Sequence, residues 1–374
     1  MNILINASNL KVGGGVQVAD SICRELCKYP QHRFVTVLPR ALQACANALQ
    51  GTGNVEVVRY DLPQSLMLVL TGREAFLDRL VVKRDIQAVL TVFGPSLWIP
   101  KCLHVSGFAR PHLVIPDSPY WQTIKGVARV KLSLRRWQLR MAFDKASQVY
   151  FTENPFISVR LKELFPAKRV YTVTNNCNQV FDHPEAWNRS MELSSFDGFT
   201  LLTVSANYPH KNLKIIRPVI AYLQQRRPDL KFRFVLTLTE EQYGPVNDEE
   251  RQHLVFLGPV RIDCCPHLYE QADAMFLPTL LECFSASYAE AMKMGRPILT
   301  TDLEFAHSLC RDAACYFDAL SAEACGEAVF RLATDANFRL DLVEKGKKQL
   351  LRFDTFTDRT RKLIEIIETE YNRL

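Results

Sequence analysis

The run Leu277-Pro-Thr-Leu-Leu-Glu282-Cys-Phe-Ser285-Ala-Ser-Tyr-Ala-Glu290-Ala-Met-Lys-Met-Gly295-Arg-Pro297-Ile-Leu-Thr-Thr-Asp302 carries the clearest structural grammar in the chain. An apolar, strand-like stretch, Ala-Met-Phe-Leu at 274–277, stops at Pro278, and a short loop bears Glu282. Ser285 then precedes mostly good helix formers closed by Gly295 and Pro297, so the spacing predicts a strand, a loop and a helix with Ser285 as N-cap. The helix starts between the two glutamates. In open α/β sheets, ligands bind beyond the carboxyl ends of the strands, and a helix N-terminus there offers amides and a positive dipole to phosphate oxygens. Carboxylates beside it can accept hydrogen bonds from sugar hydroxyls. Taken singly, Glu282 reads as a loop charge and Glu290 as a solvated helix charge, so the surroundings have to decide.

Outward from this stretch, strand-like runs at 3–6, 34–38, 55–60, 88–92, 103–106, 148–152 and 170–174 alternate with segments of helical period. This is the βαβ pattern of a parallel sheet covered on both faces. A polar, irregular stretch at 175–197 interrupts it, and a fresh strand at 199–204 restarts it. The fold class is therefore α/β, two Rossmann-like doubly wound domains facing across a cleft, assigned to residues 1–190 and 191–355.

The segment 277–302 resembles the E-x7-E signature of the retaining GT-B glycosyltransferases, family 4 in particular. Upstream, Phe256-Leu-Gly258-Pro-Val260 followed by Leu268-Tyr-Glu-Gln-Ala-Asp-Ala-Met-Phe-Leu-Pro278 has the family's order of strand, glycine turn, short helix and strand. The likeness covers most of residues 199–356 and is looser in the N-terminal half. It implies that Glu290 holds the ribose hydroxyls and Glu282 the transferring sugar of a nucleoside diphosphate donor, with Gly258, Phe284 and Ser285 on the donor side. It also implies that helix 356–374 returns to pack on the first domain. Two departures stand out: Ser205 and Ala206 occupy the positions where the family carries an arginine, and Cys283 and Ser285 replace its glycines.

Composition sets the outer bounds. With 374 residues, 48% hydrophobic and 23% charged, the chain suits two globular domains rather than a disordered segment. A net charge of +6 suggests mild attraction to anions such as nucleotide diphosphates or lipid headgroups, and no nucleic acid is expected as partner. The 11 cysteines are odd in number and scattered, which reads as reduced core thiols in the cytoplasm. No zinc spacing and no D-x-D is present, so neither metal nor cofactor is expected. Met1-Asn-Ile-Leu-Ile-Asn6 reads as a strand rather than a signal peptide, and the apolar runs are too short to span a bilayer.

The loop Leu10-Lys-Val-Gly-Gly14-Gly15-Val16 follows the first strand and opens a helix near Gln17. Its glycines let backbone amides approach a ligand, though it lacks the dinucleotide pattern G-x-G-x-x-G. The resemblance places Gly14 and Gly15 against the donor phosphate and the acceptor. Lys211, in Val204-Ser205-Ala-Asn207-Tyr-Pro-His-Lys-Asn-Leu213, falls at a helix start, where a cation is disfavoured unless an anion compensates it. A diphosphate would do so, assisted by Ser205 and Asn207. His104 is read as ending a strand on the cleft side, either as a structural hydrogen-bonder or in contact with a donor-sugar hydroxyl. Arg110 and His112 are acceptor-side candidates by position alone. Residues 125–145 read as a basic amphipathic helix, fitting either an anionic membrane surface or solvated charges opposite a core-facing stripe.

The reading is a metal-independent retaining glycosyltransferase, cytoplasmic or peripheral to a membrane. It would act in polysaccharide or lipopolysaccharide assembly on a glycan or lipid-linked acceptor. Lys211, Glu282 and His104 would form the catalytic group. A GT-B sugar-nucleotide epimerase and a non-catalytic sugar-nucleotide-binding subunit are the alternatives.

Overall fold

The computed structural model describes residues 1–63 and 65–374. Seven parallel strands form the first sheet: β1 Asn2–Asn6, β2 Arg33–Leu38, β3 Val55–Arg59, β4 Ala88–Thr91, β5 Leu103–Gly107, β6 Val149–Thr152 and β7 Arg169–Thr172. Their order is β3-β2-β1-β4-β5-β6-β7. Six more parallel strands form the second: β8 Phe199–Thr203, β9 Phe232–Leu236, β10 Leu254–Phe256, β11 Ala274–Leu277, β12 Ile298–Thr301 and β13 Ala314–Phe317. Their order is β10-β9-β8-β11-β12-β13. Both sheets reverse direction of growth once, between β1 and β4 and between β8 and β11, which is the doubly wound arrangement expected from the strand runs.

The inner strands read as continuous apolar runs because helices cover both faces. β4, Ala-Val-Leu-Thr, and β11, Ala-Met-Phe-Leu, are buried at every position. Ile3, Leu4 and Ile5 stand in register with Ala88, Val89 and Leu90, so a slip of one residue would exchange two packed faces. All eleven cysteines are free thiols, and all but Cys27 and Cys102 are buried.

The chain divides into two compact units, one of residues 1–116, 125–175 and 354–374, the other of residues 117–124 and 176–353. This differs from division at residue 190, and the reason is local. Residues 176–190 are fastened to the second unit: Asn188 N donates to Asp263 O at 2.8 Å, Arg189 pairs with Glu270 at 2.5 Å, and Lys293 pairs with Asp182. The short excursion 117–124 does likewise through Ser118, whose hydroxyl donates to Leu280 O at 2.5 Å. A boundary drawn from composition misses both, because these contacts join residues distant in sequence.

The helix Phe356–Tyr371 belongs to the first unit. Leu363, Ile364, Ile366 and Ile367 enter the same core as Ile3, Ile5, Ala88 and Leu90. Arg359, fully buried, donates to Ser21 Oγ and Asn175 Oδ1, and Asp354 accepts from Thr174 N at 2.9 Å.

Candidate active site

At the β8/β11 reversal the two flanking loops diverge from neighbouring strand ends, leaving the crevice in which such sheets bind ligands. The β8 loop supplies Ser205, Asn207 and Lys211, and the β11 loop supplies Thr279, Glu282 and Ser285. Sequence separation of about seventy residues is thus cancelled by strand pairing. The loops are tied directly, since Leu280 N donates to His210 O at 2.7 Å and Ser287 Oγ donates to Val204 O at 3.3 Å.

Lys211 and Glu282 form an ion pair across this crevice, Nζ to Oε1 at 2.5 Å, with the two side chains only 13% and 10% exposed. Thr279 Oγ1 donates to the same carboxylate oxygen at 2.8 Å. A cation and an anion held this far from water are each other's main compensation, so either becomes a strong partner for a ligand that separates them.

The helix Ala286–Lys293 starts where the sequence places it, with Ser285 as an extended N-cap. Its hydroxyl makes no capping bond, which differs from the usual role of an N-cap serine. The first-turn amides are consequently left without a side-chain cap, beside the Glu282 loop.

Glu290 is not a solvated charge. It is 4% exposed and accepts from Tyr269 Oη at 3.0 Å. Burial pushes its carboxyl up to about 7, against which the Tyr269 bond works in the opposite direction. Cys177 and Cys265 stand near enough that its charge helps raise both thiols, after burial itself.

The other donor-side candidates sit around the same strand ends. Ser205 N donates to Thr237 Oγ1 at 3.0 Å, its hydroxyl donates to Ala206 O at 3.0 Å, and Asn207 Nδ2 donates to Gln242 O. These side chains are engaged with the protein and would turn only at the expense of those bonds. Gly258 follows β10 at φ 72°, a left-handed conformation that favours glycine. Phe284 packs edge-on to Phe353 with ring centroids 6.0 Å apart.

Sequence reasoning missed an aromatic group next to the ion pair. His210 stacks on Tyr208 at 5.6 Å and meets Tyr120 edge-on at 6.2 Å. Burial, helped by the neighbouring Lys211 charge, pushes His210 down to about 4, so the imidazole is neutral at physiological pH. His210 could have been flagged as the neighbour of Lys211; Tyr120 could not, because it comes from the excursion 117–124.

In the first unit, Gly13 takes φ 81° and Gly14 opens the helix Gly14–Glu25 just after β1. A Cβ on Gly15 would sit 3.4 Å from Leu10 and Phe93. Arg110, exposed, and His112, half-buried, follow the carboxyl end of β5. His104 requires a correction. It lies near the start of β5, not its end, and is buried. Its Nε2 is 2.9 Å from Thr91 Oγ1 and its Nδ1 is 2.6 Å from Ala146 O, so both ring nitrogens are used inside the fold. Burial pushes it down to about 4, and neither ring nitrogen is left open to a donor-sugar hydroxyl unless it gives up one of these partners. Among the described residues, no group of three histidines, cysteines or carboxylates is placed to hold a metal ion.

Residues 198–335 match the family model described as Glycosyl transferases group 1. No curated protein matches the chain in sequence. Among solved structures, a glycosyltransferase from Rickettsia africae superposes with a TM-score of 0.68 at 11% identity, covering 98% of this chain and 97% of that one. HepE of Anabaena, solved with UDP-glucose, gives 0.67 at 14% identity, covering 99% and 100%. WaaG, described as a glycosyltransferase involved in lipopolysaccharide biosynthesis, gives 0.66 at 14% identity, covering 98% and 99%. The fold is GT-B, and with the matched domain the chain is a glycosyltransferase.

Proposed function

We propose that the enzyme transfers a sugar from a nucleoside diphosphate donor to a hydroxyl acceptor with retention of anomeric configuration, without a metal ion. The observation that carries this reading is the Lys211–Glu282 pair beside the uncapped start of Ala286–Lys293. A departing diphosphate gains negative charge as the bond between C1 and its oxygen breaks, and a preorganised ammonium with helix amides is the arrangement that stabilises it. Once Lys211 turns to phosphate, Glu282 is released to accept from a sugar hydroxyl. Glu290 holds the ribose. The acceptor oxygen bonds to C1 on the face the diphosphate leaves, and its proton passes to the leaving phosphate oxygen, as the family resemblance implies. The UDP-glucose bound by HepE supports a nucleotide-sugar as donor class. The acceptor is a glycan or a lipid-linked hydroxyl compound of polysaccharide or lipopolysaccharide assembly, met on the cytoplasmic side; the basic helix Gly126–Ala146 would meet the lipid-linked kind at an anionic membrane.

The test is product formation from a panel of nucleotide-sugars and acceptors in EDTA, with the anomer of the product read by NMR. Retained configuration and a rate unchanged by added magnesium or manganese are expected. An inverted product would remove the retaining mechanism, and activity that returns only with metal would remove Lys211 as the principal compensating charge. Conversion of donor in the absence of acceptor would point to an epimerase.

His104→Ala provides a second check. It is expected to keep kcat within about threefold while lowering stability by about 1–3 kcal/mol, the effect of leaving buried partners unpaired. A folded variant with kcat down a hundredfold would return His104 to the chemistry.

A further inference from the structure

The helix Gly126–Ala146 has two apolar faces rather than one. Leu132 and Leu139 are half-buried, and Phe143 and Ala146 are buried, with Phe143 packed on Phe108 at 4.9 Å and on Tyr150 at 5.9 Å. That face holds the helix to its unit. On the opposite side Val127, Val130, Leu134, Trp137 and Met141, spaced alternately three and four residues apart, form a continuous exposed stripe that none of the described residues covers. Leu134 and Trp137 are 57% and 60% exposed, and Val127 and Val130 more so. Core packing therefore explains only half of the apolar content of this helix.

The charges beside the stripe identify its occupant. By helical geometry Arg129 and Arg140 flank one edge and Lys131, Arg135 and Lys145 the other, all exposed, and Asp144 is the one acid in 125–145. Two copies paired along this stripe would set like charges against each other on both edges, which opposes self-association. An anionic bilayer satisfies both features at once, accepting the apolar side chains below the headgroups and the cations among them. Trp137 near the middle of the stripe suits that boundary, since indole prefers it. Among the described residues no helix is long and apolar enough to cross a membrane, so this contact lies on the surface.

We infer that Gly126–Ala146 is an interfacial membrane anchor whose outer stripe, Val127 to Met141, inserts into an anionic leaflet while its inner face stays packed on the first unit. This rests on the lipid-surface reading above and adds to it that contact is made by insertion, not by charge alone.

The test is sedimentation of the full chain with phosphatidylcholine vesicles, with and without phosphatidylglycerol, at low and high salt. Wild type should cosediment with the anionic vesicles, less so as salt rises. Leu134→Ser/Trp137→Ser, which keeps every cation, should weaken binding by at least about tenfold. Arg129→Glu/Arg135→Glu should weaken it as well. Both double variants should keep wild-type melting temperature and turnover on a small soluble acceptor, so that a failure of glycosyl transfer is read separately from a failure of docking. Wild type left in the supernatant would overturn the inference. So would a serine variant that binds as wild type does, which would mean charge alone suffices. A wild-type dimer in light scattering that the serine variant makes monomeric would assign the stripe to a second copy instead.

Discussion

Lys211→Ala is expected to lower kcat by about 10²–10³-fold with a much smaller change in donor KM, because the charge it meets grows only as the diphosphate departs. A single variant would mix two effects. Removing the ammonium leaves Glu282 as an unpaired carboxylate in a site nearly closed to water, a change that costs about 3–5 kcal/mol in buried pairs. Lys211→Ala/Glu282→Gln separates them. With both charges gone, the amide keeps an acceptor for Thr279 Oγ1, so thermal stability should recover toward wild type while kcat stays low. Steady-state kinetics with saturating acceptor, together with melting curves for both variants, make the comparison. Full kcat in the single variant, whatever its stability, would reduce Lys211 to a counter-ion for Glu282.

That pair also shows what a sequence can and cannot disclose about such a site. The strand runs were readable because an inner parallel strand must be apolar at every position, and the seven runs of the first half coincide with β1 to β7 to within a residue or two. Glu282 and Lys211 were readable for a different reason: each sits just past a strand end, where open sheets bind ligands, and the resemblance supplied their roles. Their mutual contact was not, since nothing local to either residue encodes the adjacency of β8 and β11. His104 failed on direction. Its strand was correctly located, but near which end of it the residue lies, and whether its ring finds partners, depends on Thr91 and Ala146 from other elements. The helix Gly126–Ala146 was legible as a basic helix but not in its two faces: apolar residues on opposite sides blur into one amphipathic signal until exposure separates them. Tyr120 reaches the site from an eight-residue segment of the same unit that lies far from it in sequence, between stretches assigned to the first unit, and contact at that range leaves no mark in composition.

Glu290 should make donor binding depend on pH in a direction set by its burial. With its carboxyl pushed up to about 7, the empty site holds a mixture of neutral and charged forms near neutrality. Ribose hydroxyls donate to the carboxylate, so binding favours the charged form and expels a proton. Affinity for a nucleotide-sugar, whose diphosphate diester does not titrate in this range, is therefore expected to rise about tenfold between pH 6 and pH 8. Glu290→Gln should flatten that profile and weaken binding at pH 8 by about 1.5–3 kcal/mol, the usual contribution of hydrogen bonds to a charged acceptor. Stability should move the other way. A carboxyl whose folded value lies above its unfolded one contributes stability that is complete below about 4.5 and lost as pH rises through about 7. The glutamine variant without ligand should hence melt like wild type at low pH and be the more stable of the two at pH 8, by up to roughly 3 kcal/mol. Glu153, likewise buried and pushed up to about 7, titrates in both proteins and cancels from the difference. Calorimetric titration at the two pH values, with melting curves alongside, measures both effects. If wild type binds donor equally at pH 6 and pH 8 and the variant binds as tightly, Glu290 is a core carboxyl bonded to Tyr269 and the ribose is held elsewhere.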